Sequence, residues 1–240
     1  MDGFSYFNIF ETKGVEYLVI IAFLSLLIPF WILLNKETKI TSQIQAAIGV
    51  LTTKILRIPQ GLFYFRNHTW MYMEKTGAAK VGVDDLLLHI TGKVKFRTLK
   101  KTGESISKGE LLTEIDQNGK LLRIFSPVSG IIADTNASLN ESNGLLNEDP
   151  YGRGWIYKIK PSDWIAETKS CFFAEEATKW SANELDRFKE FLARTMRNYT
   201  PETAMIIMQD GGEICDHSLS GLPDEIWKDF QKEFLNPESL

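Results

Sequence analysis

A lysine beside a tight turn is the residue in this sequence best placed to do covalent chemistry. It is Lys120, in the stretch EIDQNGKLLRIFSPVSG from Glu114 to Gly130. A primary amine near a hairpin tip is the kind of group to which a carboxylic-acid cofactor is joined as an amide. The Asn118-Gly119 pair just before it is a strong signal for a two-residue type I′ turn, in which both positions take positive φ. In that geometry Asn118 and Gly119 form the tip, and Lys120 begins the returning strand opposite Gln117. Side chains alternate between faces along a strand, so one position of shift decides which way a lysine points.

Other reactive side chains lack a working arrangement. Cys215, Asp216 and His217 are consecutive, which is poor geometry for a nucleophile, a base and an orienting group, so no catalytic residue is expected. The three histidines, His68, His89 and His217, lie in separate segments, and the two cysteines, Cys171 and Cys215, have no C-x-x-C spacing. No metal site follows, and the thiols read as reduced and interior. With Lys+Arg 27 against Asp+Glu 31, the net charge of −4 supplies no basic field for nucleic acid. Phosphate loops and paired carboxylates are not apparent, so neither an enzyme nor a small-molecule substrate is expected.

The elements that position Lys120 follow a membrane segment. After an N-terminal tail over residues 1–16, Tyr17 to Leu34 (YLVIIAFLSLLIPFWILL) has no charge and only Ser25 as a mild polar break. As a helix it would be about 27 Å long, enough to span a bilayer. Acidic residues precede it and Asn35-Lys36 follows directly, unlike a cleaved signal peptide. Lys36 and Lys39 on its C-terminal side put the N-terminus outside and the remainder in the cytoplasm. Over 35–62, Ile40, Ile44, Ala47, Ile48, Leu51 and Ile55 recur at helical steps until Pro59 and Gly61, predicting a juxtamembrane amphipathic helix. Its weakly basic polar face suits packing on protein more than lying on a membrane.

From Phe63 to about Lys160 the text breaks into short β-rich runs punctuated by glycine, which predicts a small sandwich or barrel. One short helix interrupts it at Val83–Gly92, its acidic start suited to a helix N-terminus. Pro127 and Gly130 mark a sharp corner. Asp149, Pro150, Gly152 and Gly154 are turn chemistry ahead of a strand that opens with Trp155 and Tyr157.

These blocks are recognisable together. HTW at His68–Trp70, VGVDDLLLHITGKV at Val81–Val94, SISKGELLTEI at Ser105–Ile115, FSPVSGII at Phe125–Ile132 and above all LLNEDPYGRGWIYKIKPSD at Leu145–Asp163 resemble the glycine cleavage system H-protein family. The resemblance implies a mainly β, lipoyl-domain-like sandwich (a barrel-sandwich hybrid) over 63–165, and a hairpin lysine that carries lipoate and shuttles an aminomethyl group. The family's attachment motif is Glu-Ser-Val-Lys, its lysine seven residues before the Ser-Pro-Val-Ser-Gly corner. Counting back from Ser126 reaches Gly119, so Asp116-Gln117-Asn118-Gly119 stands in place of the motif and Lys120 falls one position late.

A C-terminal α/β extension, mostly helical, is expected over 166–240. Ser181 and Glu184 have capping-box spacing ahead of Leu185, Phe188, Leu192 and Met196. Two short strands should flank Asp210-Gly211-Gly212, and a last amphipathic helix should carry Ile226, Trp227, Phe230 and Phe234. The sequence therefore describes a membrane-anchored adaptor or scaffold subunit that keeps the H-protein fold, has lost lipoylation and binds other protein subunits, with no cofactor. The alternative is a membrane-tethered lipoyl carrier of aminomethyl, sulfur or electron-transfer chemistry, with lipoate on Lys120. Anchored lipoyl-like adaptors of export pumps resemble it less, because they face outward and split the two lipoyl halves with a coiled coil.

Overall fold

Period-two alternation along the hairpin produces a strand with one buried face. In β7 (Leu111–Gln117), Leu112, Ile115 and Gln117 are buried while Glu114 and Asp116 face outward, and β8 (Lys120–Phe125) buries Leu122 and Ile124. The computed structural model describes residues 9–35, 50–141, 144–199, 208–209 and 213–236; within these, side chains are described except at 9–13, 15, 32–35, 50, 140–141, 196–199, 208–209 and 213.

The remaining strands are β1 (Val50–Leu51), β2 (Phe63–Tyr64), β3 (Thr69–Met73), β4 (Ala79–Val83), β5 (Lys95–Thr98), β6 (Ser105–Ile106), β9 (Gly130–Thr135), β10 (Tyr157–Pro161), β11 (Phe172–Phe173), β12 (Met208–Gln209) and β13 (Glu213–Cys215). Seven of them form one antiparallel sheet in the order β11-β2-β3-β4-β10-β9-β6, and β5-β7-β8 form a second. Val81 and Val83 of the first sheet and Leu112, Ile115, Leu122 and Ile124 of the second share one core with Ile132 and Ile159. This is the mainly β sandwich expected from the sequence.

Helix α2 (Asp85–Thr91) realises the expected short helix: Asp84 caps it by accepting from the Leu87 N–H at 2.8 Å, and Gly92 ends it at φ +80°. The sharp corner at Gly130 has a steric cause: a Cβ there would stand 2.2 Å from the Lys160 carbonyl, so β9 and β10 meet only because Gly130 has no side chain. In the NEDPYGRG block, which comes after the short helix α3 (Ser138–Glu141) and starts in the second half of α4 (Leu145–Glu148), the Asp149 carboxylate accepts from the backbone N–H groups of Gly152 and Arg153 at 2.9 and 2.8 Å.

After α5 (Trp164–Glu167), helix α6 spans Glu175–Tyr199, and α7 spans Asp224–Phe234. Ser181 and Glu184 sit inside α6 instead of capping it, because the helix starts directly after Ala174 turns the chain at φ +51°. Phe188 and Phe191 of α6 meet Phe230 and Phe234 of α7 edge-on at 5.5 to 6.1 Å between ring centres, an aromatic core for the extension. Met196, the last residue of the expected stripe, has its side chain outside the described set. The two strands expected around residue 210 are β12 and β13. Residues 210–212 lie outside the described residues, but the strands pair with each other and β13 pairs with β1.

That last pairing corrects the linker. A helix was expected over 35–62, but residues 36–49 lie outside the described residues, and from Val50 the chain is strand, turn and loop. Leu51 is buried not by a helical face but by its place opposite Ile214 in a sheet built with the extension. Both cysteines are half-buried, less enclosed than the interior thiols expected from the sequence.

The chain divides into two compact units, residues 1–44 and 45–240. The first contains α1 (Ile9–Asn35), which carries Pro29 in its interior. Among the described residues, no helix is long and apolar enough to cross a membrane. The described apolar side chains of α1 run from Tyr17 to Trp31, about 22 Å of helix against about 30 Å of hydrocarbon. Residues 32–34 of the expected span have side chains outside the described set, so a transmembrane helix over 17–34 is not shown.

Candidate functional site

The hairpin has the expected geometry. Gln117 pairs with Lys120, and Asn118 and Gly119 take φ +54° and +92° at the tip. The Asp116 carboxylate accepts from the Gly119 N–H at 2.8 Å and fastens the turn from one side. The buried Gln117 donates to the Thr91 carbonyl at the end of α2, at 2.6 Å, and ties it from the other. Lys120 is thus one residue past the tip, half-buried in the first position of β8.

Its ammonium group is engaged. Nζ donates to the Ser220 carbonyl at 3.3 Å and to the Leu222 carbonyl, and stands 5.6 Å from the centre of the Trp227 ring. All three partners belong to the C-terminal extension, in a strap running from Asp216 into α7. Polar ties hold this strap at both ends. At its start, the His217 N–H donates to the His89 carbonyl at 2.7 Å, and the Leu219 N–H to Ile90 at 3.1 Å. At its end, the Gln231 amide pairs with the backbone of Arg123, accepting at 2.6 Å and donating at 3.1 Å, and so imitates one rung of ladder on the free edge of β8. Between these ties Leu219 and Leu222 are fully buried, and the Trp227 indole N–H donates to the Leu219 carbonyl at 2.9 Å.

A carboxylate–imidazole cluster anchors the start of the strap. His89 meets Asp216 at 2.8 Å through Nδ1 and Asp85 at 3.3 Å through Nε2. Burial alone would pull the imidazole pKa down, but the two carboxylates outweigh it and hold it at about 9, so both nitrogens donate at neutral pH. Asp85 also accepts from Arg57, whose guanidinium reaches the carbonyls of Asn147 and Glu148 at 3.1 and 2.9 Å. A cavity of about 110 Å³ lies among these groups. An acidic cluster already paired with arginine and imidazolium has no spare charge for a metal ion, and none of the described residues group as metal ligands.

A second cluster is interior. His68 is fully buried at φ +58°, with Nδ1 2.8 Å from Asp84 and Nε2 4.0 Å from Glu184 of α6. Burial works against its charge, but Asp84 and then Glu184 raise its pKa overall despite Arg187. Its position beneath Trp180 and Phe234 marks it as a packing residue, as its isolation in the sequence suggested.

Of the three consecutive residues Cys215, Asp216 and His217, the last two stand side by side, with His217 Nε2 3.6 Å from the Asp216 carboxylate. Cys215 is in β13, while Asp216 and His217 dock the strap on α2. The role of Asp216 and the docking of Lys120 were missed from sequence, because the partners are 127 and about 100 residues apart and two of them are backbone carbonyls.

The site is thus a β-sandwich hairpin whose lysine, one residue past the tip, is held by carbonyls and a ring of the C-terminal extension. Residues 62–184, half of the chain, match the glycine cleavage H-protein family, and the chain belongs to that family. It is similar to the probable glycine cleavage system H protein of Thermococcus gammatolerans, 34% identical over 124 residues that cover 52% of this chain and 92% of that one. It is also similar to the glycine cleavage system H protein of Rubrobacter xylanophilus, 40% identical over 106 residues, or 44% of this chain and 83% of that one. The crystal structure of a glycine cleavage system H protein from Mycobacterium marinum aligns with 52% of this chain and 98% of its own, at 25% identity and a TM-score of 0.46.

Proposed function

We propose that this chain is a membrane-anchored H-protein-like adaptor that binds other protein subunits and carries no lipoyl group. The observation that carries this reading is the use made of Lys120: its ammonium is spent on carbonyls and a ring of the same chain, while the position the family gives to its lysine is Gly119. An adaptor needs a rigid, self-satisfied surface; a carrier needs a free arm. The domain's contribution is recognition, through the sandwich surface and the extension, rather than chemistry.

Support for anchoring comes from α1. Its described side chains from Tyr17 to Trp31 are all exposed, Leu26 at 70% and Trp31 at 63%, so the whole circumference is apolar and uncovered. Water is a poor solvent for such a surface and a bilayer a good one. With Lys36 and Lys39 retained inside, the folded domain faces the cytoplasm.

Lys120→Arg in the native host separates adaptor from carrier. Arginine keeps a cation for the two carbonyls but cannot be lipoylated. Unchanged co-purification of partner subunits and unchanged growth support the adaptor; loss of function with the fold intact would favour lipoate transfer through Lys120. Protease added to intact cells should leave the domain after Lys36 uncut, and digestion of it from outside would refute the orientation.

A further inference from the structure

The strap over the hairpin is built so that it can lift. Besides its buried apolar side chains and the two carbonyls that accept from Lys120, its polar ties to the rest of the domain include one carboxylate–imidazole contact, two backbone N–H bonds to the end of α2, and one side-chain amide on an edge strand. Water can replace each of these at modest cost. The apolar anchors Leu219, Leu222 and Trp227 pack between the ties, with Trp227 lying over the lysine. Surface segments fastened by a few polar ties open at lower free energy than a central sheet does.

We propose that the strap from Asp216 to Trp227 is a displaceable lid that withholds the Lys120 amine from acylation. This rests on the reading that the hairpin carries no lipoyl group, and it supplies a physical cause for it. In acyl transfer the amine lone pair attacks an activated acyl carbon. The C–N bond forms, the bond from that carbon to its leaving oxygen breaks with the electron pair passing to oxygen, and a proton leaves nitrogen for solvent. With the lid closed, the nitrogen points its hydrogens at the Ser220 and Leu222 carbonyls and has the indole beside it, which narrows the approach of an acyl carbon to this half-buried amine. Lifting the strap removes all three obstacles together, because they lie on one short segment.

The test is site-resolved labelling of the full chain with the N-hydroxysuccinimide ester of acetic acid, with Lys120 read against Lys95, an exposed lysine of the same sheet. In the unaltered protein, Lys120 should be acetylated about tenfold more slowly than Lys95, as a group reached only by local opening. Asp216→Ala combined with Gln231→Ala unfastens the strap at both ends, and Trp227→Ala removes the cover itself. In each, the ratio of Lys120 to Lys95 labelling should rise about tenfold, together with faster hydrogen exchange over 213–236. Equal labelling of the two lysines in the unaltered protein, or a ratio unmoved in both variants, overturns the lid. A lipoyl group on Lys120 of protein from the native host would instead overturn the reading beneath it, whereas an unmoved ratio leaves that reading standing.

Discussion

Raising the pH should loosen the extension through His89. Its imidazole rests at about 9 in the folded chain, against an ordinary value of about 6.5, because Asp216 and Asp85 face its two nitrogens and outweigh the effect of burial. The folded state therefore binds this proton more tightly than the unfolded state does. The resulting stabilisation is whole below pH 6.5, declines as the pH rises, and is gone once it passes 9. Linkage over that interval gives about 2–3 kcal/mol at pH 7, with most of it lost by pH 9. His68 adds a change of the same sign, so the His89 share must be isolated by difference. Urea titrations at half-unit steps from pH 6 to 9.5, on the unaltered chain and on His89→Gln, provide it. Glutamine preserves a donor toward Asp216 but has no titrating charge, so its stability should fall less across this range, by about 3 kcal/mol. Parallel profiles for the two proteins, or stability rising toward pH 9, would refute the assignment of His89 as a cation bridging α2 and the strap.

Three substitutions probe the hairpin and extension by melting temperature and urea midpoint. Phe188→Asp puts a charge in the aromatic core shared by α6 and α7, where Phe188 is fully buried, and should cost more than about 4 kcal/mol; a change under about 1 kcal/mol would mean the helices do not pack as described. Gly119→Val meets no neighbouring atom but forces a β-branched residue to φ +92°, so a loss of about 2 kcal/mol from backbone strain alone is expected, and a neutral result would deny the type I′ turn. Lys120→Met leaves the carbonyls of Ser220 and Leu222 without their donor and should cost about 1–3 kcal/mol, whereas an ordinary surface lysine would cost under about 0.5.

That contrast at Lys120 shows where sequence reading ends. The hairpin was legible because its information is local: Asn118-Gly119 names the turn, the turn sets the register, and the register places Lys120 opposite Gln117. The sandwich was legible for a related reason, since strand-length apolar runs between glycines are nearly a direct record of which faces are buried. What holds Lys120 was not legible. Backbone carbonyls carry no residue identity, and nothing in Ser220 or Leu222 as residue types marks them as acceptors for a lysine 100 residues away. Over 50–62, the described part of the helix expected at 35–62, the reason is different. Leu51 fits a helical stripe, but its burial comes from strand pairing with Ile214, and a distant partner overrode a local period. The same override explains Ser181 and Glu184, whose capping spacing is real but lies inside a helix that starts earlier, after the turn at Ala174.

The claim on which the account turns is that Lys120 serves as an intramolecular anchor and carries no acyl arm. The most direct measurement is the mass of the peptide containing Lys120, from full-length protein purified from its native host grown with lipoate available. The account predicts the unmodified peptide mass throughout the population. A lipoyl amide on Lys120 in a substantial fraction of molecules would contradict it and make the chain a lipoyl carrier.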